Sequence, residues 1–549
     1  MLSWLTPLLE HRRIVLIVAV IAVLLAIPSL WIGLFIDDWL HWALLQGDAD
    51  AVEFFGGKGD MFTFVGGDPD RTHRMMDLGI LPWWTYPDVK LALYRPLTSL
   101  THRLDHLLWP HQYWLMHVHN LVWFALAVAV TAALYRRMIG TAWVAGLAAL
   151  LFAIEDAHAV PAGWVANRNA LIALTFGVSA LLAHDTWRRG GSKAAGVAGP
   201  LLLLLGLLSK EEALSACAYL FAYAVFLDPG RLRARMLSLA PYAVVVVAWR
   251  AAYSAMGYGV HGSATYVDPL DAPGRFLHAV VSHGPVLLLA QWVLQFCEAY
   301  LLLPDPAQVA WSLAGIAFLA LLAWLLGPLL RDDALARFWA LGMLLAVVPG
   351  CASFPSNRLL MFAGVGAMGL LALYVGRIRT QHEPAARPRR VFLRVMLVLH
   401  LVVAPVMMPT SILVLARLTR IVDTCIQSAP LDERTPEQTA VFINSPSIIF
   451  TAYLHVLSKI DDDMPTPKRL RVLGPMSLIP VDVTVSRPDE RTLIVTPDGG
   501  YPWILTRGPD HPIPVGYRVA LTGMTVEVLS LTEDGWPASA KYTFDVPLE

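Results

Sequence analysis

The stretch "IVLIVAVIAVLLAIPSLWIGLFIDD", residues 14–38, decides the fold class. It follows Arg12 and Arg13, stays uncharged from Ile14 to Ile36, and ends on two adjacent aspartates, Asp37 and Asp38. About 20 apolar residues suffice to span the hydrocarbon core of a bilayer as a helix. The run is too long for the apolar region of a signal peptide, and no small-residue cleavage site follows it. It therefore reads as a first membrane helix, uncleaved, with a carboxylate pair at its end. Carboxylates at the mouth of a membrane helix cost free energy unless something uses them.

The rest of the chain repeats the pattern. Of 549 residues, 56% are hydrophobic and only 15% charged, and the mean hydropathy is +0.56. A soluble chain would carry about 25% charge. Further apolar segments lie at 113–135, 139–154, 170–187, 194–208, 213–227, 236–256, 276–303, 309–330, 336–350, 358–376 and 391–417. Together they predict an α-helical polytopic membrane protein. The net charge of −1 says nothing about nucleic acid, but no basic tract stands free of the membrane pattern, so no nucleic-acid partner is expected. Cys217, Cys297, Cys351 and Cys425 lie far apart without metal or CxxC spacing, so no disulfide framework is expected.

Basic clusters set the expected sidedness. Arg12/Arg13, Arg136/Arg137, Arg188/Arg189/Lys193, Arg231/Arg233/Arg235, Arg331/Arg337 and the set from Arg377 to Arg394 all belong in the cytoplasm by the positive-inside rule. Single crossings satisfy this everywhere except at 276–303, which is expected to be re-entrant or surface-lying. About eleven crossings result, with the N-terminus inside and the C-terminus outside. Residues 1–419 form the membrane domain, with a large first outer loop at 37–112. That loop carries "LPWWTYP" and "LLWPHQYW" and reads as a segment lying in the headgroup layer. Residues 420–549 shift in composition. "RTLIVTP", "WILTR" and "YRVALTGMTVEVLSLT" read as strands of a small, mainly β extracytoplasmic C-terminal domain.

On the outer side, polar residues gather at helix ends. They are Asp37 and Asp38; Glu155, Asp156 and His158 in "AIEDAHAVP"; Arg168 in "VANRNAL"; Lys210, Glu211 and Glu212 in "LLSKEEAL"; Arg358 in "FPSNRLLMF"; and Arg95, His102 and Arg103 in "LYRPLTSLTHRLDH". A single helix-end charge is ordinarily just solvated, and the loop histidines lack metal-ligand spacing. Acids from separate helices at one membrane face, with cations opposite, call for several coincidences if they are only solvated ends. The chemistry that suits them is group transfer from a lipid phosphate. A carboxylate takes the proton of an acceptor hydroxyl. A second, with or without a divalent cation such as magnesium or manganese, orients the first and offsets phosphate charge. Arg358, Lys210, Arg168 and Arg95 are the candidate ligands of the donor phosphate.

At this point the sequence resembles a family. "FIDDW" is similar to a Phe-x-Asp-Asp start, "YRPLTSLTHRLDHLLWPHQYWLMHVHNLVWF" to an Arg-Pro-Leu…Tyr-x-x-His-x-x-Asn segment, "LLSKEEAL" to Leu-Ser-Lys-Glu, and "PSNRLLMFAGVG" to Ala-Glu-Arg-Tyr-Leu-Tyr-x-Pro at Arg358. These motifs resemble the GT-C superfamily of integral-membrane glycosyltransferases, nearest to the TMTC-type protein O-mannosyltransferases and their bacterial relatives, over residues 14–376. The resemblance implies a polyprenyl-phosphate sugar donor, inversion, and Asp37 and Asp38 as the catalytic pair, Asp37 in the position of the base. It further implies a bacterial inner (cytoplasmic) membrane with the active site facing the periplasm or exterior, among membrane lipids. The acceptor would be a protein, lipid or glycan hydroxyl. Where the family carries His-Pro-x-His-Thr-Glu-Ala-Val, this chain has "EDAHAVPAGWVANR": Glu155 replaces the first His and Val160 the Glu. The second acid is then Glu155 or Asp156, and a cation would draw on Asp38, Glu155, Asp156 and His158. The tetratricopeptide repeats of the eukaryotic members are absent. Two other classes compete: a cell-envelope glycan ligase or phosphoryl-type transferase, and a transporter. A transporter would place its charges near the midplane and show repeat symmetry, neither of which is visible.

Overall fold

A computed structural model describes residues 4–57, 59–380, 386–427, 432–444, 453, 465, 467–475, 481–501 and 505–548. Of the described residues, 64% are helical. Among the described residues, nine helices are long and apolar enough to cross a membrane: Ile14–Trp31, Tyr113–Met138, Val165–Gly190, Leu232–Ala255, Pro273–Val293, Asp305–Asp332, Ala334–Ala352, Met361–Thr380 and Arg387–Val422. The pair Ala142–Ala153 and Asp156–Gly163, bent by 47°, makes a tenth if it is one span. These helices are consistent with a multi-pass membrane protein.

By its internal contacts the chain divides into two compact units: Met1–Gly33, Tyr94–Met256 and Ala272–Arg417 in one, and Leu34–Leu93, Gly257–Asp271 and Leu418–Glu549 in the other. The residues expected as a separate outer domain thus share a unit with the start of the first loop.

In the helical unit, glycine lets neighbouring helices close. A Cβ on Gly366 would lie 2.6 Å from the Trp339 carbonyl oxygen and 2.7 Å from the Met343 Cβ. Beside it, the Tyr135 hydroxyl donates to the Val365 carbonyl at 2.6 Å and the Tyr219 hydroxyl to the Phe362 carbonyl at 2.5 Å. Gly366→Val should therefore push the helix Ala334–Ala346 off Met361–Thr380, at a cost of about 1–3 kcal/mol for overpacking. A lowered thermal midpoint in detergent checks this. Segment 276–303, expected to be re-entrant or surface-lying, is helical and uninterrupted over Pro273–Val293. The break comes after it, at Leu294 with φ 57°, followed by the 3₁₀ turn Cys297–Leu302.

The other unit is built on three sheets. Thr63–Gly66, Lys90–Ala92 and Gly259–His261 form an antiparallel sheet in that order. Val483–Asp489, Thr492–Pro497, Pro537–Phe544, Met524–Leu531 and Arg518–Leu521 form a five-stranded antiparallel sheet, also in that order. Thr439–Phe442 and Arg469–Val472 pair in parallel. Alternate residues Leu493 and Val495, Val526 and Val528, and Ala540, Tyr542 and Phe544 face one core, as a period of two requires. "RTLIVTP" and "YRVALTGMTVEVLSLT" are strands as expected, the latter turning at Gly523 with φ 79°. "WILTR" lies partly outside the described residues, and its Leu505 takes φ 69°, off the strand region.

One expectation about the first loop is corrected. Trp83 and Trp84 of "LPWWTYP" do not lie at an interface but are buried beneath the five-stranded sheet. Trp83 Nε1 donates to the Tyr542 hydroxyl at 2.8 Å, and that hydroxyl donates to the Leu473 carbonyl at 2.7 Å. Large indoles fill the sheet's inner face and still satisfy their N–H there.

Candidate functional site

In the helical unit, two of the quoted motifs are tied together by their backbones. The Leu97 N–H donates to the Leu208 carbonyl at 3.0 Å, and the Thr98 hydroxyl donates to the Ser209 carbonyl at 3.0 Å. This brings Arg95, at the start of the helix Pro96–Leu108, to "LLSKEEAL". Arg95 donates through Nε and Nη2 to Glu211 Oε2 at 3.0 and 2.8 Å. Lys210 Nζ pairs with Glu212 Oε2 at 2.7 Å. Burial holds Lys210 below the usual lysine range, and the charges of Arg95 and Arg358 lower it further. The charges of Arg95 and Arg358, from two other elements, thus both reach Lys210.

Arg358 sits in the 3₁₀ turn Asn357–Leu359, with its guanidinium carbon 5.5 Å from the Trp164 ring centre and 5.6 Å from that of Phe354. The turn is pinned by Glu298, whose Oε1 accepts from the Ser356 hydroxyl at 2.7 Å and the Asn357 N–H at 2.8 Å. Asn357 Oδ1 in turn accepts from Cys297 Sγ at 2.9 Å. An arginine stacked on aromatic faces keeps a fixed direction, which suits a phosphate ligand.

Arg168 belongs to the frame rather than to an open anion site. It is fully buried, pairs with Asp105 Oδ2 at 2.6 Å, and donates through Nη2 to the Met116 carbonyl at 2.8 Å. Asp105 also holds His119 Nδ1 at 2.5 Å, and Trp123 Nε1 donates to His119 Nε2 at 3.1 Å. Arg95 and Lys210 are paired too, with Glu211 and Glu212, but keep some exposure, whereas the Arg168 side chain is fully enclosed with Asp105 and is withdrawn from the donor-phosphate set.

Glu155, Asp156 and His158 are also buried. Glu155 Oε2 meets His400 Nδ1 at 3.1 Å, while His400 Nε2 donates to the Trp292 carbonyl at 3.2 Å. His400 stands in a π-helical turn, Leu399–Val403. His158 is enclosed by the rings of Phe124 and Phe152 at 5.7 and 4.6 Å. The turn Asp156–His158 packs against Asn357–Leu359, so the motif is near the Arg358 turn. Among the described residues, no group of three or more His, Cys, Asp or Glu is arranged to hold a metal ion. Glu155, Asp156 and His158 do not fit a divalent cation, and no step below passes through one.

Asp37 and Asp38 belong to the other unit, at the start of the helix Asp37–Gln46. The residue before them, Ile36, takes φ 48° and ψ −108°. For a β-branched residue this is a true outlier, of order 1–3 kcal/mol, and such strain clusters at functional sites. The two aspartates do different things. Asp38 is buried and turns back, so that its Oδ2 accepts from the Phe35 N–H at 3.1 Å. Asp37 Oδ1 accepts from the hydroxyl of Tyr453. Asp38 thus helps hold the turn through Oδ2.

The structure therefore gathers Arg95, Lys210 and Arg358, and sets Asp37 apart from Asp38. Sequence reasoning did not single out Asp105, His119, Glu298, His400 or Tyr453. His400, Glu298 and His119 carried a signal, as ionisable residues inside the apolar runs 391–417, 276–303 and 113–135. Compared with known proteins, the chain matches no family model and no curated sequence.

Proposed function

We propose that this chain is a GT-C-type membrane glycosyltransferase that moves a sugar from a polyprenyl-phosphate donor to an acceptor hydroxyl, with inversion, on the extracytoplasmic face. The observation that carries it is the gathering of Lys210, Arg95 and Arg358 at the end of apolar helices, where positive charge is otherwise scarce. In the reaction, the acceptor oxygen forms a bond to the anomeric carbon as the bond from that carbon to the phosphate oxygen breaks. The acceptor proton passes to a carboxylate, which the resemblance, not the relative placement of the two units, assigns to Asp37, and polyprenyl phosphate leaves with the bonding pair. Arg358, Lys210 and Arg95 offset its charge, Arg358 most directly. Inversion needs only one base, so a second catalytic acid is not required.

The deciding experiment gives membranes a radiolabelled polyprenyl-phosphate sugar and measures release of polyprenyl phosphate. No release, with consumption of a pyrophosphate-linked glycan instead, would transfer the assignment to the ligase class.

Sidedness is tested separately. A reporter fused after residue 425 is expected to be active outside the cytoplasm, and one fused near Arg235 inside. A cytoplasmic signal from the C-terminal fusion would mean that Pro273–Val293 crosses once and that the later helices are inverted.

A further inference from the structure

Three chain segments form the unit that holds the acidic pair, and each brings one residue to it: Asp37 from the first, Tyr266 from the second and Tyr453 from the third. Tyr453 is half-buried, 416 positions from Asp37 along the chain, and packs edge-on against Trp39 at 5.8 Å and 67°. Nothing in "IIFTAYLHVL" marks this tyrosine. A carboxylate in the first turn of a helix ordinarily caps backbone N–H groups or faces water. Asp38 turns back to the Phe35 N–H, and Asp37 instead meets a phenol.

We propose that Tyr453 is a positioning residue for Asp37: its hydroxyl donates to Oδ1, fixes the rotation of the carboxylate and keeps it ionised to receive the acceptor proton. This rests on Asp37 being the base. The C-terminal part of the chain would then complete the proton-accepting site rather than stand beside it.

The direction of the bond follows from chemistry. Burial, and after it the charge of Asp37, push the Tyr453 hydroxyl well above its ordinary range, so it keeps its proton at neutral pH and can only donate. Asp38 and Tyr266 are the other titratable groups whose charge reaches Tyr453. A hydrogen bond donated to a carboxylate favours its charged form and lowers its pKa. Removing the donor must therefore raise the pKa of Asp37, and the acid limb of the rate profile must move to higher pH.

The test uses the purified full-length chain and release of polyprenyl phosphate, with kcat measured against pH for wild type, Asp37→Asn and Tyr453→Phe. Tyr453→Phe should lower kcat by about tenfold at neutral pH and move the acid limb up by about one unit, with the donor KM unchanged. Replacing Tyr453 by 3-fluorotyrosine keeps the shape and strengthens the donor, so it should move the limb down. A protein that merely lost packing would not shift the limb in opposite directions with donor strength. If Tyr453→Phe fails to fold, the fluorinated protein still decides. An unmoved limb in the fluorinated protein, with Asp37→Asn inactive, would overturn the role of Tyr453 and leave the base in place. An active Asp37→Asn would instead remove the glycosyltransferase mechanism itself.

Discussion

Asp37→Asn is expected to lower sugar transfer by about 10²–10⁴-fold, the usual cost of losing a general base. The amide keeps the shape of the carboxylate but cannot take the proton. The protein should still fold and still bind donor, because Asp37 is not the residue that holds the helix start. Asp38 holds it, through the Phe35 N–H. Asp38→Asn retains an acceptor oxygen and should keep much of the activity, whereas Asp38→Ala should cost about 1.5–3 kcal/mol of stability, as loss of a hydrogen bond to a charged group does. Kinetics and thermal unfolding on the same four proteins, wild type included, separate these outcomes. Near-normal transfer in purified, folded Asp37→Asn would make the pair an ordinary helix end.

Two arginines that look alike in sequence should behave oppositely. Arg358→Ala removes a charge-assisted contact worth about 1.5–3 kcal/mol, a tenfold to hundredfold loss in donor handling, in a protein that stays folded. Arg168→Ala leaves Asp105 buried without its cation, and removing one partner of a buried pair typically costs about 3–5 kcal/mol. Its signature is poor expression and a collapsed melting point, not a raised KM. Loss of stability in Arg358→Ala equal to that in Arg168→Ala would take Arg358 out of the donor site.

The helices were legible because lipid selects on composition. Residues 14–36 carry their fate in hydropathy alone, without reference to any partner. Trp83 and Trp84 were not legible, because an indole serves equally well at a headgroup interface and in a β core. Only pairing with strands far along the chain decides between the two. At the site, "YRPLT" and "LLSKE" were found because each concentrates charge next to an apolar run. Arg168 met the same local criterion and was misread, since the acid that neutralises it comes from another helix. That Asp38 turns back to the Phe35 N–H while Asp37 meets a tyrosine was hidden too. It depends on the backbone angles at Ile36 and on a tyrosine hundreds of residues away, neither of which leaves a mark in "FIDDW".

The tie between Trp83 and Tyr542 spans 459 positions. During synthesis, at about 5–20 residues per second, residues 34–93 must wait on the order of 20–90 s before the strands that cover their indoles exist. The helices can settle one at a time as they emerge, but the acidic pair cannot acquire its surroundings until nearly the whole chain has been made. A ribosome that stalls late, or a protease that trims the last hundred residues, would yield a product with its helices in place and its chemistry never assembled. If the proposed function holds, the order of synthesis keeps the incomplete chain from acting early.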